Sequence, residues 1–160
     1  MKKPQKLKAK AKNKVTGKVT GKDKAGARTS SSIRRVNPAA LYPPNGYTHV
    51  VEATGGRTIY ISGQVPSDKN GSVVGVGDFR AQVVQVFENL KAALAAADAG
   101  FGDVVKANYY VLDMTNITVL REVRRGYLGA TAPASTLVEV RKLAREEFLV
   151  EIEMIAVCAK

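Results

Sequence analysis

Apolar residues in the middle of the chain recur every three or four positions, which is the spacing of one buried helix face. The clearest such run follows Asp78, a residue type that favours helix N-caps, and predicts a helix over residues 78–99. A second, shorter run after Thr115 or Asn116 predicts another helix that ends near Gly129. Each helix should pack its apolar face against a sheet.

Segments rich in Val, Ile, Thr and Tyr predict five strands. They cover residues 47–53, 58–62, 103–114, 136–143 and 149–158, and Gly55-Gly56 predicts a hairpin turn between the first two. The order β-β-α-β-α-β-β predicts an α+β domain with one mixed sheet and both helices on one face. The other face would expose Val and Tyr side chains, so we expect the chain to oligomerise.

The charge of the chain is concentrated at its N-terminus. Residues 1–35 hold thirteen Lys and Arg and one Asp, a net charge of +12, whereas residues 36–160 have a net charge of −1. Residues 1–35 also have few large apolar side chains, so we predict a disordered Lys-rich tail before one domain over 36–160. This tail is either a solvated extension or a non-specific, salt-dependent contact to nucleic acid.

Composition excludes several kinds of site. Cys158 is the only cysteine and His49 the only histidine, so an internal disulfide, a cysteine metal cluster and a His-rich metal site are excluded. We expect a reducing, cytoplasmic setting. We expect no membrane span, because no apolar run approaches the ~20 residues of a span. We expect no secretory signal, because no apolar segment follows the positive charges at the N-terminus. A Ser-His-Asp triad is disfavoured because His49 has no evident Asp partner.

The last two predicted strands carry the most suggestive polar residues. Alternation places Ser135 and Leu137 on one face of the first strand. It places Glu151 and Glu153 on one face of the second strand, ~7 Å apart. These glutamates either form a solvated polar face or include a group that activates water, and alternation alone does not choose. We expect Ser135 and Glu151 to lie close to any reaction centre.

Several segments together resemble the RidA (YjgF) family of reactive-intermediate deaminases. The resemblance covers residues 44–159 and rests on Tyr47, ISGQVP at 61–66, the Ala-rich helix, DVVKANYYVLDM at 103–114, PASTLVEV at 133–140 and VEIEMIAV at 150–157. It implies a chorismate-mutase-like homotrimer with clefts between subunits. It also implies hydrolysis of imines or enamines to 2-keto acids and ammonia without a metal or organic cofactor. Some relatives are described as endoribonucleases or translation inhibitors.

The resemblance also assigns roles to individual residues. Tyr47 and Ser62 fall on substrate-binding positions of the family, and Glu151 falls on the glutamate that positions the attacking water. Leu137 falls on the residue that closes the pocket, where the best-known members have Cys. The arginine that binds the substrate carboxylate should follow Pro-Ala, but Ser135 stands there.

Loss of that arginine changes the expected activity. Because Ser offers one neutral hydroxyl in place of two charged donors, binding of simple 2-imino acids should weaken by ~10–100-fold or more. Arg121 falls where the family often has Asn and is the substrate-binding candidate from the second helix, although charged helical residues usually face solvent. We therefore expect a deaminase-like trimer that binds a small imine-, enamine- or carbonyl-like metabolite and is weak or inactive on simple 2-imino acids. The alternatives are a ligand-sensing trimer and a nucleic-acid-associated one.

Overall fold

The structure is a computed structural model and describes residues 30–159. Its strands and α-helices, in chain order, are β1 (Ser32–Val36), β2 (Val50–Thr54), β3 (Arg57–Gln64), α1 (Phe79–Ala96), β4 (Val104–Val111), α2 (Ile117–Leu128), β5 (Ala134–Glu139) and β6 (Val150–Cys158). Short 3₁₀ turns precede β4 and α2. None of the helices in this range is long and apolar enough to cross a membrane.

The main sheet has four strands in the order β3-β6-β4-β5. β4 and β5 are parallel, whereas β6 is antiparallel to both β3 and β4. The parallel pair is joined through α2, which is the crossover that parallel pairing requires. The predicted α+β fold with a mixed sheet and two helices is therefore confirmed.

The N-terminal strands differ from the prediction. Ser32–Val36 lies within the predicted disordered tail but pairs antiparallel with β2, and Arg34 forms an ion pair with Glu52 across the two strands. Residues 32–35 are therefore ordered rather than disordered, because backbone pairing with β2 orders a segment that has few apolar side chains. Residues 1–29 of the predicted tail lie outside the described range.

The predicted hairpin is also corrected. β2 pairs with β1 and β3 pairs with β6, so Gly55-Gly56 joins strands of two different sheets. Both glycines have positive φ, and a side chain on Gly56 would clash with the Cys158 carbonyl. Glycine therefore suits this turn because the backbone turns sharply against β6.

The two helices cover one face of the main sheet. Asp78 caps α1, since its carboxylate accepts a hydrogen bond from the Ala81 amide at 3.1 Å. Apolar side chains of both helices form the core together with inward-facing residues of β3, β4 and β6. Gln82, fully buried on α1, bonds the backbones of Gly75, Glu147 and Leu149 and so holds two loops to the helix.

The opposite face of the main sheet is not covered within the chain. Tyr60 on this face is 77% exposed, and its other residues are Ser62, Lys106, Asn108, Tyr110, Thr136, Val138, Glu151, Glu153 and Ile155. The expected Val and Tyr side chains are thus present, but charged and polar groups are interspersed among them. Trimer formation through this face remains a prediction.

Candidate substrate cleft

A cleft of about 430 Å³ lies where α2 meets the start of β5 and the loop before β2. Its lining residues are Tyr42, Asn45, Tyr47, Thr48, His49, Lys106, Arg121, Arg124, Ala134, Ser135 and Leu137. The cleft therefore contains four of the six residues that the sequence predicts for a site.

The loop before β2 forms one wall and is fixed at Thr48. The buried Thr48 hydroxyl donates to the Ala132 carbonyl at 2.6 Å, and the Thr48 amide donates to the Pro133 carbonyl at 3.0 Å. Although the sequence predicts a strand from residue 47, β2 begins only at Val50 because these bonds hold the loop to the segment before β5. The loop thereby presents Tyr47 to the cleft.

His49 packs among aromatic rings beside this wall. Its ring meets those of Tyr42 and Tyr47 edge to face, with centroids 5.0 and 5.2 Å apart. Its Nε2 atom lies 2.7 Å from the Tyr42 carbonyl. His49 therefore packs against the aromatic side chains at the cleft.

Arg124 forms the floor of the cleft from the helix side. It is only 6% exposed, and its guanidinium carbon lies 5.5 Å from the centroid of the Tyr109 ring. Its Nη2 atom donates to the Asn45 carbonyl at 3.4 Å. A side chain on Gly46, whose φ is +77°, would clash with Nη2, so glycine lets the loop backbone approach the guanidinium.

Ser135 and Tyr109 lie beside this arginine. The Ser135 hydroxyl donates to the Pro133 carbonyl at 3.3 Å. The buried Tyr109 hydroxyl makes no hydrogen bond of good geometry within residues 30–159. Burial raises the pKa of Tyr109 to about 12, although the nearby Arg124 and Ser135 act in the opposite direction. Tyr109 is therefore neutral at physiological pH.

The cleft is electropositive. Lys106, Arg121 and Arg124 line it, and none of its lining residues is Asp or Glu. Lys106 Nζ donates to the Thr136 hydroxyl at 2.7 Å on the uncovered sheet face, so the positive charge on the helix side comes from Arg121 and Arg124. A concave surface with one sign of charge attracts the opposite sign, so an anion fits this cleft.

The remaining two predicted residues, Ser62 and Glu151, lie on the uncovered sheet face. Glu153 on this face accepts hydrogen bonds from Asn108 Nδ2 at 2.7 Å and the Tyr110 hydroxyl at 3.1 Å. The bond to Glu153 raises the pKa of Tyr110. In contrast, Glu151 makes no side-chain hydrogen bond to the described part of the chain, and its carboxylate lies against Gly63. Glu151 is therefore free to hold a water or a ligand.

Within one chain, Ser135 and Glu151 lie on different faces of the main sheet. Ser135 pairs with Ala107 on β4, whereas Glu151 pairs with Tyr110. Ala107 and Tyr110 are three residues apart, so their side chains point to opposite faces of the sheet. Neighbouring residues of paired strands share a face, so Ser135 points to the helix side and Glu151 to the uncovered side. Alternation within each strand does not give this arrangement, because it depends on the register that β4 imposes between β5 and β6. That both residues lie close to one reaction centre stays a prediction.

Sequence reasoning did not identify Arg124 as a cleft residue. A signal was present, because Arg124 lies four residues after Leu120 and four before Leu128, both buried. This spacing puts the arginine in the apolar stripe of α2. Residues 30–159 contain no cluster of three or more His, Cys, Asp or Glu that could hold a metal ion.

Sequence comparisons identify related proteins over most of the chain. The family model described as Endoribonuclease L-PSP matches residues 37–158. A RutC family protein of Pyrococcus horikoshii is 40% identical over 115 residues, which cover 71% of this chain and 88% of the relative. The mouse protein named 2-iminobutanoate/2-iminopropanoate deaminase is 36% identical over 133 residues, or 80% and 94% of the two chains.

Structure comparisons give the same result. A Rid-family protein of unknown function from Yersinia pestis is 39% identical with a TM-score of 0.74, covering 78% of this chain and 98% of its own. A putative endoribonuclease from Thermotoga maritima is 35% identical with a TM-score of 0.60, covering 75% and 90%. With this fold, and with these matches over most of both chains, the protein belongs to the RidA/YjgF family, whose family model is described as Endoribonuclease L-PSP.

Proposed function

We propose that this chain is a deaminase-type hydrolase that acts on a small imine- or enamine-like metabolite. The observation that carries the proposal is the free carboxylate of Glu151, two residues from Glu153, whose carboxylate already accepts two hydrogen bonds. A general base needs a carboxylate that can accept a proton from water. The family membership and the mouse relative's name support hydrolysis of an imine.

In this mechanism Glu151 holds a water and takes one of its protons as the water oxygen attacks the imine carbon. Glu151 returns that proton to the nitrogen, which gives a carbinolamine. The hydroxyl proton of the carbinolamine then moves to the nitrogen, the C–N bond breaks, ammonia leaves and a carbonyl remains. One imine and one water thus give one carbonyl compound and one ammonia through proton transfer alone.

The reaction site needs two subunits. Tyr47 and Ser135 line the cleft on the helix side, whereas Ser62 and Glu151 lie on the opposite sheet face of the same chain. A homotrimer that buries its uncovered sheet faces, as the family resemblance implies, would bring Glu151 of one subunit to the cleft of its neighbour. Tyr60, 77% exposed on that face, is suited to burial at such an interface.

Activity on simple 2-imino acids should be low. Ser135 replaces the carboxylate-binding arginine, and its hydroxyl already donates to the Pro133 carbonyl. A charged hydrogen bond contributes about 1.5–3 kcal/mol, so a transition state that lacks this bond from β5 should be stabilised about 10–100-fold less. Robust ammonia release from 2-iminopropanoate, generated in place by an amino-acid oxidase, would contradict this expectation.

The hydrolase proposal is tested with a panel of imines generated from different amino acids. We expect at least one imine to release ammonia faster with the wild-type protein, and Glu151→Gln to slow that release by about 100-fold or more. Glu146→Gln, at an exposed position outside the cleft, is the matched control and should retain the wild-type rate. If Glu151→Gln released ammonia as fast as the wild type, Glu151 would not be the base. If the wild-type protein accelerated ammonia release from no imine of the panel, a ligand-sensing role would be favoured instead.

A second candidate function is association with nucleic acid. Residues 1–29 contain ten Lys, one Arg and one Asp, a net charge of +10, and several relatives carry the word endoribonuclease in their names. Three such segments on one trimer would add avidity. Deleting residues 1–29 should abolish retention of RNA or DNA at low salt, and unchanged retention would exclude this function.

A further inference from the structure

Arg124 has an unusual environment for an arginine. It is 6% exposed, and the salt bridges among residues 30–159 do not include it. In that range its hydrogen bond to the Asn45 carbonyl is a long one, at 3.4 Å. A guanidinium has five N–H donors, and a buried charge without a counter-ion is unfavourable. Most of its hydrogen-bonding capacity, and its charge, are therefore available to a ligand in the cleft.

The guanidinium is also held in one direction. The Tyr109 ring packs against it at 5.5 Å, and the backbone at Gly46 contacts Nη2 from the other side. A donor whose direction is fixed before binding loses little entropy when the ligand arrives. Arg124 thus has the preorganisation that a binding residue needs.

The rest of the cleft adds positive charge. Arg121 lines the same cavity as Arg124, and none of the lining residues is Asp or Glu. Ser135 and Arg124 line the same cavity, and both act on the Tyr109 hydroxyl between them. The charge that β5 lacks is present on α2.

We propose that Arg124 of α2 is the carboxylate-binding residue of this chain, in place of an arginine on β5, and that the cleft binds small anionic carboxylates from the helix side. This inference rests on the proposed function only in taking the cleft as the substrate site. Binding of a carboxylate there requires no turnover. A substrate whose carboxylate is held from α2 presents its imine carbon to the attacking water at a different position from one held from β5. This displacement explains how a cleft can bind carboxylates and still hydrolyse simple 2-imino acids slowly.

The test measures binding of 2-oxobutanoate and 2-oxoglutarate by calorimetry at constant ionic strength, with 2-oxobutanamide as the uncharged counterpart. The variants are Arg124→Gln, which keeps one donor for the Asn45 carbonyl, Arg124→Lys, which keeps the charge, and Arg125→Gln. Arg125 is exposed on the same helix and does not line the cleft, so it is the matched control. Thermal unfolding of each variant, with and without the carboxylate, accompanies the binding measurement.

We expect the wild type and Arg125→Gln to bind at least one of the two carboxylates more tightly than the amide. Arg124→Gln should lose about 10–100-fold in affinity, and Arg124→Lys should retain part of it. The carboxylate should raise the unfolding temperature of the wild type but not that of Arg124→Gln. Arg124→Gln without ligand should be at least as stable as the wild type, since it removes an uncompensated buried charge.

Three results would overturn the proposal: no binding of either carboxylate, equal binding of the amide, or unchanged affinity in Arg124→Gln. A purely structural role predicts the opposite pattern, in which Arg124→Gln is less stable but binds normally. Ammonia release does not enter these measurements. Failure of the hydrolase proposal and failure of this one are therefore distinguishable.

Discussion

Two glutamates of β6 show how neighbouring identical residues acquire different roles. Glu153 is held by Asn108 and Tyr110, so its carboxylate has a structural task on the sheet face. Glu151 lies against Gly63, where glycine leaves room for the carboxylate. The chemistry that we propose for Glu151 therefore depends on a residue of β3 that has no functional group.

Gly63→Ala tests this dependence. The new Cβ would clash with Oε1 of Glu151, the far end of a flexible side chain, so the carboxylate should move and the backbone should not. We expect the rate of ammonia release to fall by about 100-fold, the usual effect of misplacing a catalytic group by about 1 Å. The unfolding free energy should change by less than ~1 kcal/mol.

Gly102→Ala is the control for that variant, because a Cβ at Gly102 meets open space. It should leave both rate and stability unchanged. A Gly63→Ala protein with the wild-type rate would show that the position of Glu151 against β3 does not matter for turnover.

At the scale of elements, helices were easier to predict from the sequence than strand register. The apolar period and Asp78 predicted α1 to within a few residues, because local spacing and capping determine a helix. β1 was missed because Arg34 and Arg35 hide its short apolar pattern, and its order depends on pairing with β2. Register across β4 and β6, which separates Ser135 from Glu151, depends on contacts distant in sequence.

Residues 47–49, predicted as strand, belong to the loop before β2. This loop forms a wall of the cleft. Thr48 holds it through one side-chain and one backbone hydrogen bond to the segment before β5. The same loop carries Tyr47 and contacts Arg124 through Asn45 and Gly46. The shape of the cleft thus depends on a residue that itself offers no chemistry to a substrate.

Thr48→Val should loosen this wall. The valine keeps the shape but leaves the Ala132 carbonyl without its 2.6 Å hydrogen bond, which should cost about 1–3 kcal/mol in unfolding free energy. Binding of 2-oxobutanoate or 2-oxoglutarate should weaken as well, because Tyr47 and the backbone around Arg124 lose their support. Denaturant unfolding and calorimetry measure the two effects.

Thr118→Val, at an exposed position on α2 that does not line the cleft, provides the comparison for Thr48→Val. It should change neither quantity beyond ~0.5 kcal/mol. If Thr48→Val were as stable as Thr118→Val, the bond to Ala132 would contribute nothing to holding the loop.

At the scale of the whole molecule, the candidate site is divided between two sheet faces. The cleft with Arg124 and Ser135 opens on the helix side, whereas Glu151 lies on the face that the chain leaves uncovered. The family resemblance assigns residues of both faces to one predicted site, but sequence alone does not place them on different faces. Assembly of subunits through the uncovered faces is what would unite them.

Subunit complementation tests this central claim most directly. Chains carrying Glu151→Gln and chains carrying Arg124→Gln are each assembled alone and also refolded together in equal amounts, and ammonia release is measured with the best imine of the panel. Each homogeneous assembly should be nearly inactive. If a site combines Arg124 of one subunit with Glu151 of its neighbour, random mixing restores an intact pair at about a quarter of the sites and about that fraction of the wild-type rate. A mixed sample no more active than the two inactive parents would contradict a cleft shared between subunits.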